Sequence, residues 1–425
     1  MINITNPFKS LFTDKNLSLD IIFFSILIIL LPIALITGPA IPDIFLSSIA
    51  LYFLVKSIIS RKWHYYKNYI VIGFLIFCLY GIIRSLFSEI PILSLTNEGS
   101  IFYFRYIFFS MGVWYLLDNN PYLSKCFLII SVICIIMVCI DGIYQYFNEY
   151  NLLGNKKHNA TRLTGLFGKE PIIGRYISFL SMFTFALIYQ NFPKTKKMIT
   201  LSIIFLVMCE VTVFLTGERA PLFYLVLFSV LVMVFAPHYR VYRIIGIATS
   251  VFIIWGILEI NPTVKTRIVD YTFEQVKDTH LPYLPYSTSH EEIYITSLKM
   301  FLDNPIFGVG TNTFRYQCNS KQFKYKEGCE SHPHNIYFQV LAEKGLLGFA
   351  FIIYFFLYLF SIGIRQLYIM LTSNKKNLIP FEFLLYPMII FIYLWPLIPT
   401  MSFYNNWLNV FIMLPLGYFM KYYNR

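Results

Sequence analysis

What most constrains this chain is the recurrence of apolar runs long enough to cross a bilayer. A helical span needs about 20 mostly apolar residues. Runs of that scale lie near 20–37, 41–58, 69–86, 102–118, 126–146, 171–190, 198–216, 220–236, 243–260, 336–363, 380–397 and 402–420. Hydrophobic residues make up 57% of the chain and charged ones only 13%, a balance that a water-soluble core does not require. The expected fold is all-α, a polytopic membrane bundle of about 12 transmembrane helices. It forms a single membrane domain over 1–425, with one large outer loop, 261–335, between the ninth and tenth helices. The apolar run near residue 20 lacks a small-residue cleavage site and is followed by further spans, so it reads as a span rather than a cleavable signal.

Basic residues orient the bundle, because short cytoplasmic loops retain Lys and Arg. Alternate loops carry Lys9 and Lys15, then Lys56, Arg61, Lys62 and Lys67, then Lys125, then Lys194, Lys196 and Lys197. The series continues with Arg240 and Arg243, then Arg365, Lys375 and Lys376, then Lys421 and Arg425. The opposite loops at 38–41 and 400–406 have none. Both termini are therefore expected in the cytoplasm, and topology explains most of the net charge of +12 without a nucleic-acid partner.

Positive charges on the outer face break this pattern. Lys156, Lys157, Arg162 and Lys169 fall in one outer loop and Arg219 in the next. Long loops translocate whatever their charge, which suffices for Lys156 and Lys157. Arg219 lies in LTGERAPLF, at a tight turn between two apolar runs, beside Glu218 and ahead of Pro221, which suits a first helical turn. A guanidinium at that depth is costly unless paired or used. A Glu218–Arg219 pair is the structural reading, and an anion such as a diphosphate is the functional one. Asp141, Gln145 and Glu210 fall inside expected spans, where polar groups face the bundle interior. Asp141 and Gln145 are one turn apart and are expected to cross-link helices rather than line a groove.

The long polar segment closes with SHPHNIYFQVLAEKGLLG, Ser331 to Gly348, which puts an imidazole at a membrane surface. His334-Asn335, Gly345 and Gly348 at this spacing resemble the signature of the O-antigen ligase and polymerase superfamily, membrane enzymes that transfer glycans from a polyprenyl diphosphate carrier. NPIFGVGTNTF at 304–314 and TRLTGLFGKEPIIGRY at 161–176 resemble further segments of that family. The glycines of the latter would let backbone N–H groups approach phosphate oxygens, although the P-loop spacing is absent.

The resemblance implies roles for individual residues. His334 is the expected catalytic base, since an ordinary imidazole pKa near 6.5 lets it take a hydroxyl proton around neutrality. Arg219 matches the family's essential arginine at a turn between two spans and would grasp the diphosphate, with Arg162, His290 and Arg315 as further contacts. His290, in SHEEIYITSLKMF, stands where typical ligases place a second arginine, so His290, Arg315 or Arg267 would substitute for it. His332 and Asn335 would support His334, along with Gly345 and Gly348; capping the following helix is the alternative role of Asn335. Cys318 and Cys329, the two cysteines outside the spans, are expected to form a disulfide if that side is an oxidising periplasm, contributing on the order of 3 kcal/mol. Cys78, Cys126, Cys134, Cys139 and Cys209 read as buried apolar residues. The loop histidines match no common zinc spacing, so neither a metal nor a soluble cofactor is expected.

The implied protein is an O-antigen ligase-type glycosyltransferase of the bacterial inner membrane, with its active site facing the periplasm. Its donor would be an undecaprenyl-diphosphate-linked glycan and its acceptor lipid A–core, by a metal-independent inverting displacement, with lipid tails held in apolar grooves among the membrane lipids. An O-antigen polymerase, joining repeat units on the same carrier, shares the donor and the motifs, and protein-directed ligases form a smaller option. A non-enzymatic transporter or flippase of polysaccharide precursors would show paired halves and midplane charges. Here no internal repeat is visible and the informative charges gather on one face.

Overall fold

The computed structural model describes residues 6–97, 99–159, 161–260, 266, 274, 287–372 and 378–423. Most of 261–286, with Lys265 and Arg267, lies outside the described residues, as do Lys375, Lys376 and Arg425. The N-terminal half begins with α1 (Pro7–Thr13), α2 (Leu19–Ile29), α3 (Leu31–Ala34), α4 (Ala40–Ile59), α5 (Tyr69–Leu86), α6 (Pro91–Thr96), α7 (Phe104–Asn119) and α8 (Leu123–Asn148). After an irregular segment come α9 (Ile173–Asn191), α10 (Lys196–Leu215), α11 (Arg219–Phe235) and α12 (Pro237–Ile260). The remainder holds α13 (Thr288–Asp303), α14 (Phe314–Gln317), α15 (Ile336–Leu371), α16 (Phe381–Tyr393) and α17 (Asn406–Tyr423).

Each segment expected to span is helical. Among the described residues 7 stretches are long and apolar enough to cross a membrane by themselves: α4, α5, Pro91–Asn119, α8, α10, α12 and α15. The others are shorter, broken or more polar. The first is interrupted at Leu30, ahead of Pro32, into α2 and α3, and α11 and α16 are 17 and 13 residues long. α9 and α17 run through the interior with most residues buried, which lets them carry buried Ser178, Ser181, Thr184 and Asn409. The structure thus carries a helical membrane architecture rather than a count of crossings. Within 261–335 it adds two helices, α13 and α14, to what reads in sequence as one loop.

Ring packing joins the two central helices to their neighbours. Phe183 of α9 meets Phe127 of α8 and Tyr418 of α17 at 5.5 and 5.1 Å between centroids, and Phe179 meets Tyr393 of α16 at 4.4 Å. Asp141 and Gln145 do not cross-link helices; they fasten the irregular segment between α8 and α9 to α8. Gln145 Oε1 accepts the N–H groups of Thr164 and Gly165 at 2.9 and 2.8 Å, and Asp141 Oδ1 accepts that of Leu152 at 2.9 Å. Backbone donors in an irregular segment must find acceptors somewhere, and these side chains supply them.

Arg243 also departs from the sequence reading, which placed it in a cytoplasmic loop. α12 begins at Pro237, so Arg243 already lies more than one turn into the helix, with its side chain fully buried. It donates to Glu210 of α10 and Ser229 of α11, and Ser250 donates to the other Glu210 oxygen at 2.7 Å. Pairing makes a buried guanidinium tolerable, whereas removing one partner strands the other charge at a cost of about 3–5 kcal/mol. Glu210→Ala should therefore lower the melting temperature of the detergent-solubilised protein, and Glu210→Leu with Arg243→Met should recover much of the loss. Unchanged melting of the single variant would show that this network does not hold α10, α11 and α12 together.

Candidate active site

The candidate site is built on the first turn of α15. Asn335 is its N-cap: Oδ1 accepts the N–H groups of Tyr337 and Phe338 at 2.9 and 3.3 Å, the structural role open to it from sequence. Its Nδ2 donates to the Pro396 carbonyl at 2.8 Å. The residue before the cap, His334, has φ +55, a left-handed conformation uncommon for a side chain with Cβ. Such a conformation persists only where its surroundings impose it. Here the connection between α16 and α17 does so. Thr400 donates its N–H to the His334 carbonyl at 2.7 Å, and its Oγ1 accepts the Ile336 N–H at 3.1 Å. Gln339 exchanges further bonds with Ser402 and Phe403, and Tyr337 donates its hydroxyl to the Leu394 carbonyl at 2.5 Å.

At the other end of the motif, α15 kinks at Gly345, where φ is +60. Residues 304–310 are spliced into the break. The N–H groups of Val309 and Gly310 donate to the Ala342 and Glu343 carbonyls at 2.9 and 3.0 Å, and Leu346 N–H donates to the Pro305 carbonyl at 2.9 Å. A Cβ on Gly345 would meet the backbone of Ile306 and Gly308, and one on Gly348 would meet the Lys344 side chain. Glu343 accepts the N–H groups of Asn312 and Phe314, both at 3.0 Å. Both glycines and NPIFGVGTNTF therefore shape the wall of the site rather than its chemistry. Cys318 and Cys329 are joined in a disulfide just beyond, and the other five cysteines are free and buried.

α13 carries His290 to His334, with ring centroids 5.7 Å apart, and His332 lies 4.2 Å from His334. Ser287 Oγ and Ser331 Oγ sit 2.6 and 2.9 Å from Nδ1 of His290 and His332. Among the described residues the His334 ring makes no hydrogen bond. Burial, then the charges of His334 and Arg219, push His290 down to about 4. Burial and His334 push His332 down to about 3 against an opposing hydrogen bond with the Thr400 backbone, and Arg175 and Arg315 push the same way as burial. His334 is depressed by burial and then by the Arg175 guanidinium. Neutral imidazoles result, which is the form that accepts a proton. Among the described residues no group of three or more His, Cys, Asp or Glu side chains is placed to hold a metal ion.

The arginines reach this cluster from three elements. Arg219 is the first residue of α11 and acts on His290, while Arg315, exposed on α14, acts on His332. Arg162 is turned towards α9: its guanidinium donates to the Pro171 carbonyl at 3.3 Å and bears on Glu218. Glu218 accepts the Gly174 N–H at 2.6 Å through Oε1, and its Oε2 lies 3.8 Å from Arg175 Nε. Burial raises the Glu218 carboxyl above the usual range, against the pull of Arg175. Arg175 was missed in sequence. The signal that could have found it is a basic residue at the outer end of an expected span, contrary to the orientation rule.

Apolar grooves flank the bundle among the described residues, and two of them adjoin α15. One, of about 220 Å³, runs between α5, α15 and α17 and is lined by Phe74, Tyr103, Phe351, Phe355, Phe403 and Leu416. The other, of about 210 Å³, lies between α11, α15 and α16.

If the α16–α17 connection sets the His334 backbone, Thr400→Val, which loses the hydroxyl acceptor but keeps the shape, should lower activity roughly tenfold, as for one lost hydrogen bond. Thr400→Ser should retain activity. Equal rates for Thr400→Val and the unaltered protein would show that the clamp is dispensable.

No curated protein matches the chain. Residues 201–353 match the family model described as O-antigen ligase. The match runs from α10 through Arg219 and His290 to His334, Gly345 and Gly348, and so takes in the histidine cluster and the kinked helix. Over this segment the chain is similar to the O-antigen ligase family.

Proposed function

We propose that the protein is a ligase-type glycosyltransferase that moves a glycan from an undecaprenyl diphosphate carrier to lipid A–core on the periplasmic face of the bacterial inner membrane. The observation that carries this reading is the convergence of a neutral, conformationally restrained His334 with cationic side chains from separate helices. That arrangement suits a reaction in which a hydroxyl loses a proton while a diphosphate departs. The acceptor oxygen attacks the anomeric carbon as the bond from that carbon to the diphosphate oxygen breaks. The proton passes to the His334 ring, and the departing diphosphate keeps the bonding electrons, its charge held by arginines led by Arg219. A single displacement inverts the anomeric centre. The diphosphate is a good leaving group, so positioning and charge stabilisation carry the work. The apolar grooves would hold prenyl and acyl chains.

Glycolipid banding from a strain deleted for this protein tests the reading. Long chains that stay on the carrier and are absent from lipid A–core identify a ligase. Lipid A–core bearing a single repeat without a ladder identifies a polymerase instead, and transfer preserved in an Arg219→Ala, His334→Ala double variant sinks both.

The pH dependence has a definite sign. His334 titrates below its ordinary value of 6.5, so the ring remains able to accept a proton at pH 6.5 and loses that ability only as pH falls further. The acid limb of the transfer rate should therefore lie below 6.5. A limb above 6.5 would exclude His334 as the base.

A further inference from the structure

Arg175 and Glu218 form a pair with an uneven geometry. The Arg175 Nε to Glu218 Oε2 distance is 3.8 Å, longer than a hydrogen bond. The Glu218 side chain is 2% exposed and that of Arg175 26%, so the guanidinium is the member a ligand can reach. Glu218 is fixed from the other side by the Gly174 N–H. Arg175 thus lies beside the cap residue that precedes Arg219, and its charge acts on both His332 and His334. A loosely held, reachable guanidinium beside the start of α11 is suited to bind an oxyanion bidentately. A buried carboxylate also needs a cation when no ligand is present.

We propose that Arg175 is a diphosphate-contacting residue and that Glu218 positions it, holding the guanidinium until the donor's anion takes it over. This rests on the reading of the donor as a polyprenyl diphosphate. Arg175 and Arg219 then grip the diphosphate from the starts of α9 and α11, and Glu218 keeps Arg175 in place in the empty site.

The test is calorimetric titration of inorganic pyrophosphate into the full chain in lipid nanodiscs. The unaltered protein should bind, and Arg175→Gln and Arg219→Gln should each weaken binding roughly tenfold or more, the loss of one charge-assisted contact. Arg175→Lys should recover part of that loss. Glu218→Gln, which removes a negative charge beside the anion, should tighten binding, whereas a merely structural carboxylate would give weaker binding. Affinity kept in Arg175→Gln but lost in Arg219→Gln overturns the assignment of Arg175 and leaves the donor reading standing. Absence of binding to the unaltered protein overturns both. Inorganic phosphate bound as tightly as pyrophosphate, through Arg175 and independently of Arg219, would assign Arg175 to a lipid headgroup and overturn the proposal.

Discussion

The arrangement of the site depends on one backbone constraint, the hold of the α16–α17 connection on His334 and Asn335. A histidine at φ +55 just before a helix cap is not a conformation that local propensity selects. Thr400 imposes it, binding the His334 carbonyl with its N–H and the Ile336 N–H with its hydroxyl, while Pro396 takes the Asn335 amide. The His334 ring then lies 5.7 Å from that of His290 and 4.2 Å from that of His332. α13 and the arginine-bearing helix starts complete the site around that position.

The electrostatics follow from where these groups are buried. Desolvation is the leading cause of the depressed protonation of all three histidines, and the arginine charges add to it. A cluster of neutral bases among cations disfavours a further proton on the protein and favours an anion from outside. Glu218 is the local exception, and the structure gives it two calls on its charge, the Gly174 N–H and Arg175. Deeper in the bundle the same rule produces the Arg243–Glu210 pair, where no substrate need be invoked.

The far wall of the site rests on the break in α15. The kink at Gly345 exposes carbonyls that Val309 and Gly310 satisfy, so 304–314 is held to the helix by its own backbone. Lys344 sits next to the kink in a ring of aromatic faces, its Nζ 4.1 Å from the Phe77 centroid and 5.8 and 5.7 Å from those of Tyr103 and Tyr404. Tyr80 of α5 donates to the Lys344 carbonyl at 2.6 Å. The helix that follows the catalytic candidate is thereby tied to α5 and to the residue that precedes α7.

The sequence by itself determined the helical membrane class, since apolar runs of bilayer length admit no other backbone solution. It also singled out His334 and the two glycines through a spacing that resembles a family signature, Arg219 through its turn between two apolar runs, and the Cys318–Cys329 pair through its place outside the spans. It could not reveal Thr400, because a lone threonine in a short connection carries no pattern until the chain folds it against a residue 66 positions earlier (400 − 334). Arg175 was hidden for a related reason, its meaning lying in the nearness of Glu218 and in the action of its charge on His332 and His334. The opposite error befell Arg243, whose charge suggested a loop although a buried carboxylate on another helix receives it. Periodicity and composition are local and fix the elements; the partners of a charge are set by packing between distant segments, so the tertiary structure alone decided which cations face the site and which only hold the bundle together.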